Sequence, residues 1–366
     1  MKKRVAVLGA TGSIGKSSLD IISRNSDKFE VVLLAARSRR SELERLKTQF
    51  PSAVLVLSES EGKEKLIQAI KNAGADITIN GISGGDGLEP SLAAIESGSN
   101  LALANKETVV MAGKLAFRLA NEKNVKIIPV DSEHSAIFNL TKSYGAEVDE
   151  IILTASGGPF RNMSLKEMEN VTPDDALAHP TWKMGPKITI DSASMANKGL
   201  EIIEACVFFN MPPEKIKVVI HPQSVVHSMI RLCNGVFYAQ LSRPDMRHPI
   251  HDALFWPQTA PLNLEPLNFD SLTLEFTKPD LEKFPMLGLA QEAAKKGGLY
   301  PCAYNAANEE AVRAFLEKKI KFPDISRITG FVMEGSWPLD YSDKETVLKT
   351  DADARIKAVS YIKNNL

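Results

Sequence analysis

Cysteine is scarce in this chain. There are three among 366 residues, Cys206, Cys233 and Cys302, with no metal-ligand spacing and an odd total that leaves no disulfide framework. A reducing compartment fits that usage. Long apolar runs are missing too. No stretch approaches the roughly 18 residues a membrane helix needs. The opening MKKRVAVLGA loses its apolar character at Gly9, short of the roughly 7–15 residues of a signal core. A cytoplasmic chain without a targeting segment is the expectation. No sign of charge dominates: 44 basic residues face 45 acidic ones, a net charge of −1, so the composition draws neither nucleic acid nor acidic membrane. Internal repeats and low-complexity segments are also absent. What remains is the composition of a globular protein, at a length that exceeds one ordinary core and predicts two or three domains.

The first third alternates buried strands with helices. RVAVL (4–8), FEVVLLAA (29–36), VLVL (54–57), DITIN (76–80), LALA (101–104) and KIIPV (126–130) read as strands, with helical segments such as 62–73 and 107–121 between them. This alternation predicts a parallel sheet with right-handed crossovers, a Rossmann-like domain over 1–130. Residues 131–256 read as a mixed α+β catalytic domain. Its expected strands are 150–156, 187–192, 215–221, 224–231 and 236–242, the last three in a largely antiparallel sheet. A proline cluster (Pro249, Pro257, Pro261, Pro266) marks a linker over 257–281. Helical patterns at 285–319 and 341–364 give a C-terminal helical domain over 282–366.

Gly9, Gly12 and Gly15 stand between the first strand and the first helix. Glycines there allow a tight turn and a close approach of backbone amides to a pyrophosphate at the helix N-terminus. The spacing is one residue off the usual fingerprint, and a glycine turn without ligand is the alternative. The second strand ends in Ala36-Arg37-Ser38-Arg39-Arg40, without the acid that holds the ribose hydroxyls of NAD. Three arginines and a serine suit a 2′-phosphate.

Two segments bring carboxylates. Asp131-Ser132-Glu133-His134 follows the strand KIIPV, where α/β sites form; the competing role for Asp131 or Ser132 is a helix N-cap. In DSASMANKGLE (191–201), a helix starting near Asn197 puts Asn197 and Glu201 on one face. Ser192, Asn197 and Lys198 combine hydroxyl, amide and ammonium in a phosphate grip, and Glu201 adds a third oxygen ligand for a hard cation. HPTWKMG (179–185) reads as a shaped loop whose Trp182 and Met184 need a surface to cover, either a ligand or the domain's own core. Asn105-Lys106-Glu107 ends another strand. Ser156 precedes paired glycines, a setting suited to anions. His221 and His227 are each more often core histidines than catalysts.

The ordered set GATGSIG, NKE, DSEH, ASGGPFR, HPTWKMG, DSASMANKGLE, HPQSVVHSM, PDMR and NAANE resembles the 1-deoxy-D-xylulose 5-phosphate reductoisomerase family over residues 4 to about 315. The resemblance implies a homodimer that uses NADPH and a divalent metal (Mg, Mn or Co). Its reaction is the rearrangement and reduction of a small sugar phosphate to 2-C-methyl-D-erythritol 4-phosphate in isoprenoid precursor synthesis. It implies Asp131, Glu133 and Glu201 as metal ligands, and Ser156, Ser192, Asn197 and Lys198 as the phosphate set. Lys106, Ser132 and Glu133 match contacts to the reacting end of the sugar. His179 matches a substrate contact, Trp182 a lid residue, and His227 and Met246 pocket positions. Thr11, Gly12, Ser13, Ile14, Arg37, Ser38, Arg39, Asn105, Glu107 and Gly185 match cofactor positions. The chain departs from the family where Arg37-Ser38-Arg39 replaces Gly-Lys/Arg-Asn, and at Thr181 and Lys183. A semialdehyde-dehydrogenase-type activity is the rival enzyme reading and requires an activated cysteine. A nucleotide sensor explains the glycine turn but not the acids.

Overall fold

The computed structural model describes residues 1–178, 182 and 184–366. The chain divides into two compact units: residues 1–108, 114–135 and 245–264 form the first, and 109–113, 136–244 and 265–366 the second.

Six strands build the first unit: β1 (Lys3–Leu8), β2 (Phe29–Ala36), β3 (Val54–Leu57), β4 (Ile77–Asn80), β5 (Asn100–Leu103) and β6 (Ile127–Pro129). They form a parallel sheet in the order β3-β2-β1-β4-β5-β6. Helices cover both faces, so the strands are near-continuous apolar runs, with Val5 to Leu8 wholly buried. Strand order reverses between β1 and β4, and ligands of such sheets bind at the carboxyl ends beside that switch.

Helix Arg247–Phe255 packs in this unit against helix Ser13–Arg24 and strands β5 and β6. Phe255 meets Phe29 edge to face at 5.1 Å, and Lys3 Nζ donates to the Leu254 and Trp256 carbonyls at 2.8 and 3.1 Å. Sequence patterning places residues up to 256 in the central segment, and the structure moves this helix to the first unit. Pro249, expected within a linker's proline cluster, lies in the helix's first turn, where a proline removes no helical hydrogen bond.

The second unit holds β7 (Val148–Ala155), β8 (Ile216–Ile220), β9 (Val226–Leu232) and β10 (Phe237–Leu241), in the order β10-β9-β7-β8. Only β7 and β8 run parallel. The segment expected as a strand at 187–192 is instead helix Pro186–Ala193. Its β-branched Ile188-Thr189-Ile190 favours a strand locally. Pro186 at the first helical position, the Lys187–Asp191 pair one turn apart and burial of Ile190 and Ala193 override that preference. Helix Ala196–Phe208 follows at once.

Helices Pro285–Lys296, Tyr300–Leu316, Asp324–Met333 and Lys344–Asn365 complete the unit. Expected as a separate domain, they instead share one core with the sheet. Leu287, Tyr304, Phe315 and Val332 pack in the same cluster as Leu153 and Ile202. The connection before them is tied to the sheet by His221. Its Nε2 accepts from the Val225 and Val226 amides, so the proton sits on Nδ1, which donates to the Glu275 carbonyl at 2.9 Å. Among the described residues, no helix is long and apolar enough to cross a membrane.

Candidate active site

The first unit offers two features at the carboxyl ends of its strands. One is the glycine turn. Helix Ser13–Arg24 starts at Gly12 without a side-chain cap, which leaves its N-terminus suited to an anion. A Cβ on Gly15 would lie 2.6 Å from Ala10 Cα and collide with the Gly9 carbonyl, so only glycine lets the helix press on the turn. Beside it Arg37, Ser38 and Arg39 are exposed. Arg39 Nη1 donates to the Thr11 carbonyl at 3.0 Å, which holds its guanidinium against the turn. Asn105 and Glu107 have a different task. The Asn105 amide donates to the Ile82 and Gly84 carbonyls, both at 2.8 Å, and to Glu107 Oε2 at 2.9 Å, while its Oδ1 caps the next helix at the Thr108 amide. Glu107 Oε1 accepts from the Gly84 amide at 3.2 Å. These two buried side chains shape the loop after β4.

The other feature is the Asp131 cluster. Asp131 Oδ1 accepts from the Glu133 and His134 amides at 3.0 and 3.2 Å, so it does cap helix Ser132–Tyr144. Its Oδ2 accepts from Lys106 Nζ at 2.9 Å, and Ser132 Oγ donates to Glu133 Oε2 at 3.1 Å. One carboxylate thus caps a helix and still presents an oxygen to a cation. His134, which has no role in the sequence-based assignment, is fully buried with Nδ1 3.2 Å from Asp131 Oδ1. Its place in the DSEH motif was the available signal.

In the second unit the phosphate candidates come together from three backbone segments. Ser156 lies in the loop after β7. Gly158 there has φ of 67°, and a Cβ on it would stand 2.7 Å from the Ser192 carbonyl, so glycine lets the loop lie on Ser192. Ser192 is in the last turn of helix Pro186–Ala193. Asn197 and Lys198 occupy the first turn of helix Ala196–Phe208. Asn197 Nδ2 donates to Glu201 Oε1 at 2.6 Å, and Lys198 Nζ pairs with Glu201 Oε2. Glu201 is completely buried and Lys198 is 4% exposed.

The carboxylate donors within each unit are of a kind that suits a hard divalent cation. Asp131 and Glu201 each face an ammonium, Lys106 and Lys198, which marks both as places where a positive charge is accommodated. Oxygen ligands suit Mg²⁺ and Mn²⁺.

The remaining candidates lie on other segments. Trp182 is half-buried. Gly185 caps the start of helix Pro186–Ala193, and a Cβ there would meet nothing within 4 Å. His179, Pro180, Thr181 and Lys183 lie outside the described residues, so the lid expected over 179–185 stands as a proposal. His227 is buried on β9, and Met246 begins helix Arg247–Phe255. Burial pushes the Cys206 thiol up to about 12 and raises that of Cys302 as well. That is the reverse of what a nucleophilic cysteine needs.

Known proteins match this chain along its whole length. A family model described as 1-deoxy-D-xylulose 5-phosphate reductoisomerase matches residues 5–73 and 57–113. Models of the C-terminal domains of the same enzyme match 127–209 and 241–357. The 1-deoxy-D-xylulose 5-phosphate reductoisomerase of Treponema denticola is 47% identical over 371 residues, covering 99% of this chain and 97% of the relative. The enzyme from Zymomonas mobilis in complex with NADPH superposes with a TM-score of 0.91 at 42% identity, covering all of both chains. A DOX-P reductoisomerase in complex with NADPH, fosmidomycin and magnesium also gives 0.91, at 37% identity over 99% of this chain and 98% of that one. On a parallel sheet with its glycine turn and arginine edge, and on these full-length matches, the chain belongs to the 1-deoxy-D-xylulose 5-phosphate reductoisomerase family.

Proposed function

We propose that the chain converts 1-deoxy-D-xylulose 5-phosphate to 2-C-methyl-D-erythritol 4-phosphate with NADPH and a divalent cation, a step in isoprenoid precursor synthesis. The observation that carries this reading is the buried Glu201 carboxylate, held by Asn197 and Lys198 on the helix that follows Ser192. In this assignment Ser156, Ser192, Asn197 and Lys198 bind the substrate phosphate through hydroxyl, amide and ammonium groups. Asp131, Glu133 and Glu201 would hold the cation. The chemistry supplied on binding would be Lewis-acid polarisation of the substrate ketone from the cation and a hydride from NADPH.

The chain's own groups orient these partners. Lys106 fixes Asp131 through Oδ2, and Ser132 fixes Glu133 through Oε2. Buried His134 supports Asp131 from the opposite oxygen. Lys106, Ser132 and Glu133 are assigned to the reacting end of the sugar. His179 and Trp182 are assigned to cover it, with His227 and Met246 lining the pocket. Thr11, Gly12, Ser13 and Ile14 receive the pyrophosphate, and Arg37, Ser38 and Arg39 the 2′-phosphate. Asn105 and Glu107 serve the cofactor by shaping the 81–87 loop, and Gly185 completes the set.

A homodimer belongs to this reading. Strand β10 is an edge strand; its first residue, Phe237, is 55% exposed and the preceding Val236 45%. An open apolar edge of this kind invites a second copy. A cytoplasmic location is supported by the three free cysteines.

The test is a product assay with 1-deoxy-D-xylulose 5-phosphate, NADPH and Mg²⁺. The expected result is one branched polyol phosphate formed per NADPH oxidised, lost on exhaustive chelation and restored by Mg²⁺, Mn²⁺ or Co²⁺. NADPH oxidation without the branched product, or turnover indifferent to chelation, overturns the reading.

A further inference from the structure

The NAANE segment, residues 305–309, has no role in the site as described. It lies in helix Tyr300–Leu316. Asn308 is fully buried, and its Nδ2 donates to Asp191 Oδ1 at 2.7 Å across 117 residues of sequence. The second oxygen, Oδ2, accepts from Lys187 Nζ at 2.9 Å. Asp191 itself is 1% exposed. A carboxylate in a core needs both oxygens satisfied, and here one amide and one ammonium do so. Lys187 balances the charge, and Asn308 adds a directional bond without adding charge.

Asp191 directly precedes Ser192, at the junction between two helices. The junction turns at Met195, a non-glycine residue with φ of 63°. Ser194 Oγ donates to the Asp191 carbonyl and accepts from the Ala196 amide, both at 3.3 Å, so one hydroxyl spans the turn. Ser192 lies on one side of this turn, and Asn197 and Lys198 on the other. A buried polar pair is weak evidence for stability alone, since apolar packing does that as well. What it supplies is a fixed position.

We infer that Asn308 is a positioning residue for the phosphate grip: through Asp191 it fixes the place of Ser192 and so sets affinity for the phosphate end of the substrate. The inference rests on the assignment of Ser192 to the phosphate set.

The test is steady-state kinetics on Ser192→Ala, Asn308→Ala, Asn308→Asp and the double variant Ser192→Ala/Asn308→Ala, with inorganic phosphate as a competitive inhibitor. Asn308→Asp keeps the shape but sets a carboxylate against Asp191. Each Asn308 variant should raise KM for the sugar phosphate, and Ki for inorganic phosphate in parallel, by about tenfold to a hundredfold. The kcat and the KM for NADPH should stay within about threefold. In the Ser192→Ala background, Asn308→Ala should add less than about threefold, because both act on one contact. The exchange Asp191→Asn with Asn308→Asp, which again faces a donor with an acceptor, should recover most of the lost affinity. Multiplying effects in the double variant, or a fall in kcat and NADPH affinity alongside stability, overturns the inference and makes Asn308 structural. If Ser192→Ala leaves KM and Ki unchanged, the phosphate assignment itself fails, and the inference with it.

Discussion

The arginine edge after β2 and the helix junction at 191–201 both gather cationic and hydroxyl groups, yet they are built differently. Arg37, Ser38 and Arg39 are exposed, and Arg39 is held by one bond to the Thr11 carbonyl and a 3.6 Å approach to Glu42. At the junction, Asp191, Lys198 and Glu201 are at most 4% exposed, and each has charged or amide partners. Exposed charges act through water and are screened by salt. Buried charges cannot lose a partner without leaving the other uncompensated. In the proposed assignment the edge therefore chooses between nucleotides at modest energetic stake, while the junction determines whether turnover occurs at all.

The largest effect should come from the junction. Glu201→Gln leaves the buried Lys198 ammonium uncompensated, at a cost of roughly 3–5 kcal/mol. It should lower kcat/KM for the sugar phosphate by on the order of a thousandfold while leaving NADPH affinity unchanged. Steady-state kinetics with a separate NADPH fluorescence titration checks both halves, and a loss under about tenfold would erase the contrast. The edge should respond less. Arg37→Ala with Arg39→Ala should lower kcat/KM for NADPH by about tenfold to a hundredfold and for NADH by less than about threefold. Added salt should narrow the gap in the wild type. Equal losses with both nucleotides would strip the arginines of a 2′-phosphate role.

A smaller effect sharpens the picture of the second unit. Burial lowers the pKa of His221, partly offset by its bond to the Glu275 carbonyl, and neighbouring His227 lowers it further. The fold therefore prefers the neutral ring, and the unfolded chain binds the extra proton. Stability from this group should be full above the ordinary histidine value of about 6.5 and decline as pH falls toward the depressed native value. Thermal melts across that window should show a decline of a few degrees, weaker in His221→Asn. An identical slope in the variant would free His221 of that role. The smallest effect concerns the thiols. Alkylation should modify exposed Cys233 and spare Cys206 and Cys302 in the native chain, with turnover within about twofold of the untreated enzyme. Mass mapping together with activity checks this, and inactivation would revive a cysteine mechanism.

Much of the first unit was legible because its strands are buried on both faces and read as apolar runs between glycine and polar breaks. The missing acid after β2 was equally plain, since a strand end is a fixed place in such folds. Asn197 and Glu201 were readable as one helical face, and they do bond to each other. Residues 187–192 were not, because Ile-Thr-Ile alternates like a strand and only its packing makes it a helix. Pairings between distant segments leave no local trace. Asp191 meets Asn308 across 117 residues, and Asn105 braces Ile82 and Gly84 from the following strand end. The placement of helix Arg247–Phe255 with the first unit was hidden for the same reason.

The proposed chemistry turns on three carboxylates holding one cation, and metal affinity tests that most directly. Mn²⁺ titrations followed by electron paramagnetic resonance, with NADPH present, should be run on the wild type, Asp131→Asn, Glu201→Gln and the Arg37→Ala/Arg39→Ala variant. Both carboxylate variants should weaken Mn²⁺ by at least about tenfold, and the arginine variant should match the wild type. Wild-type affinity in both carboxylate variants would contradict the central claim.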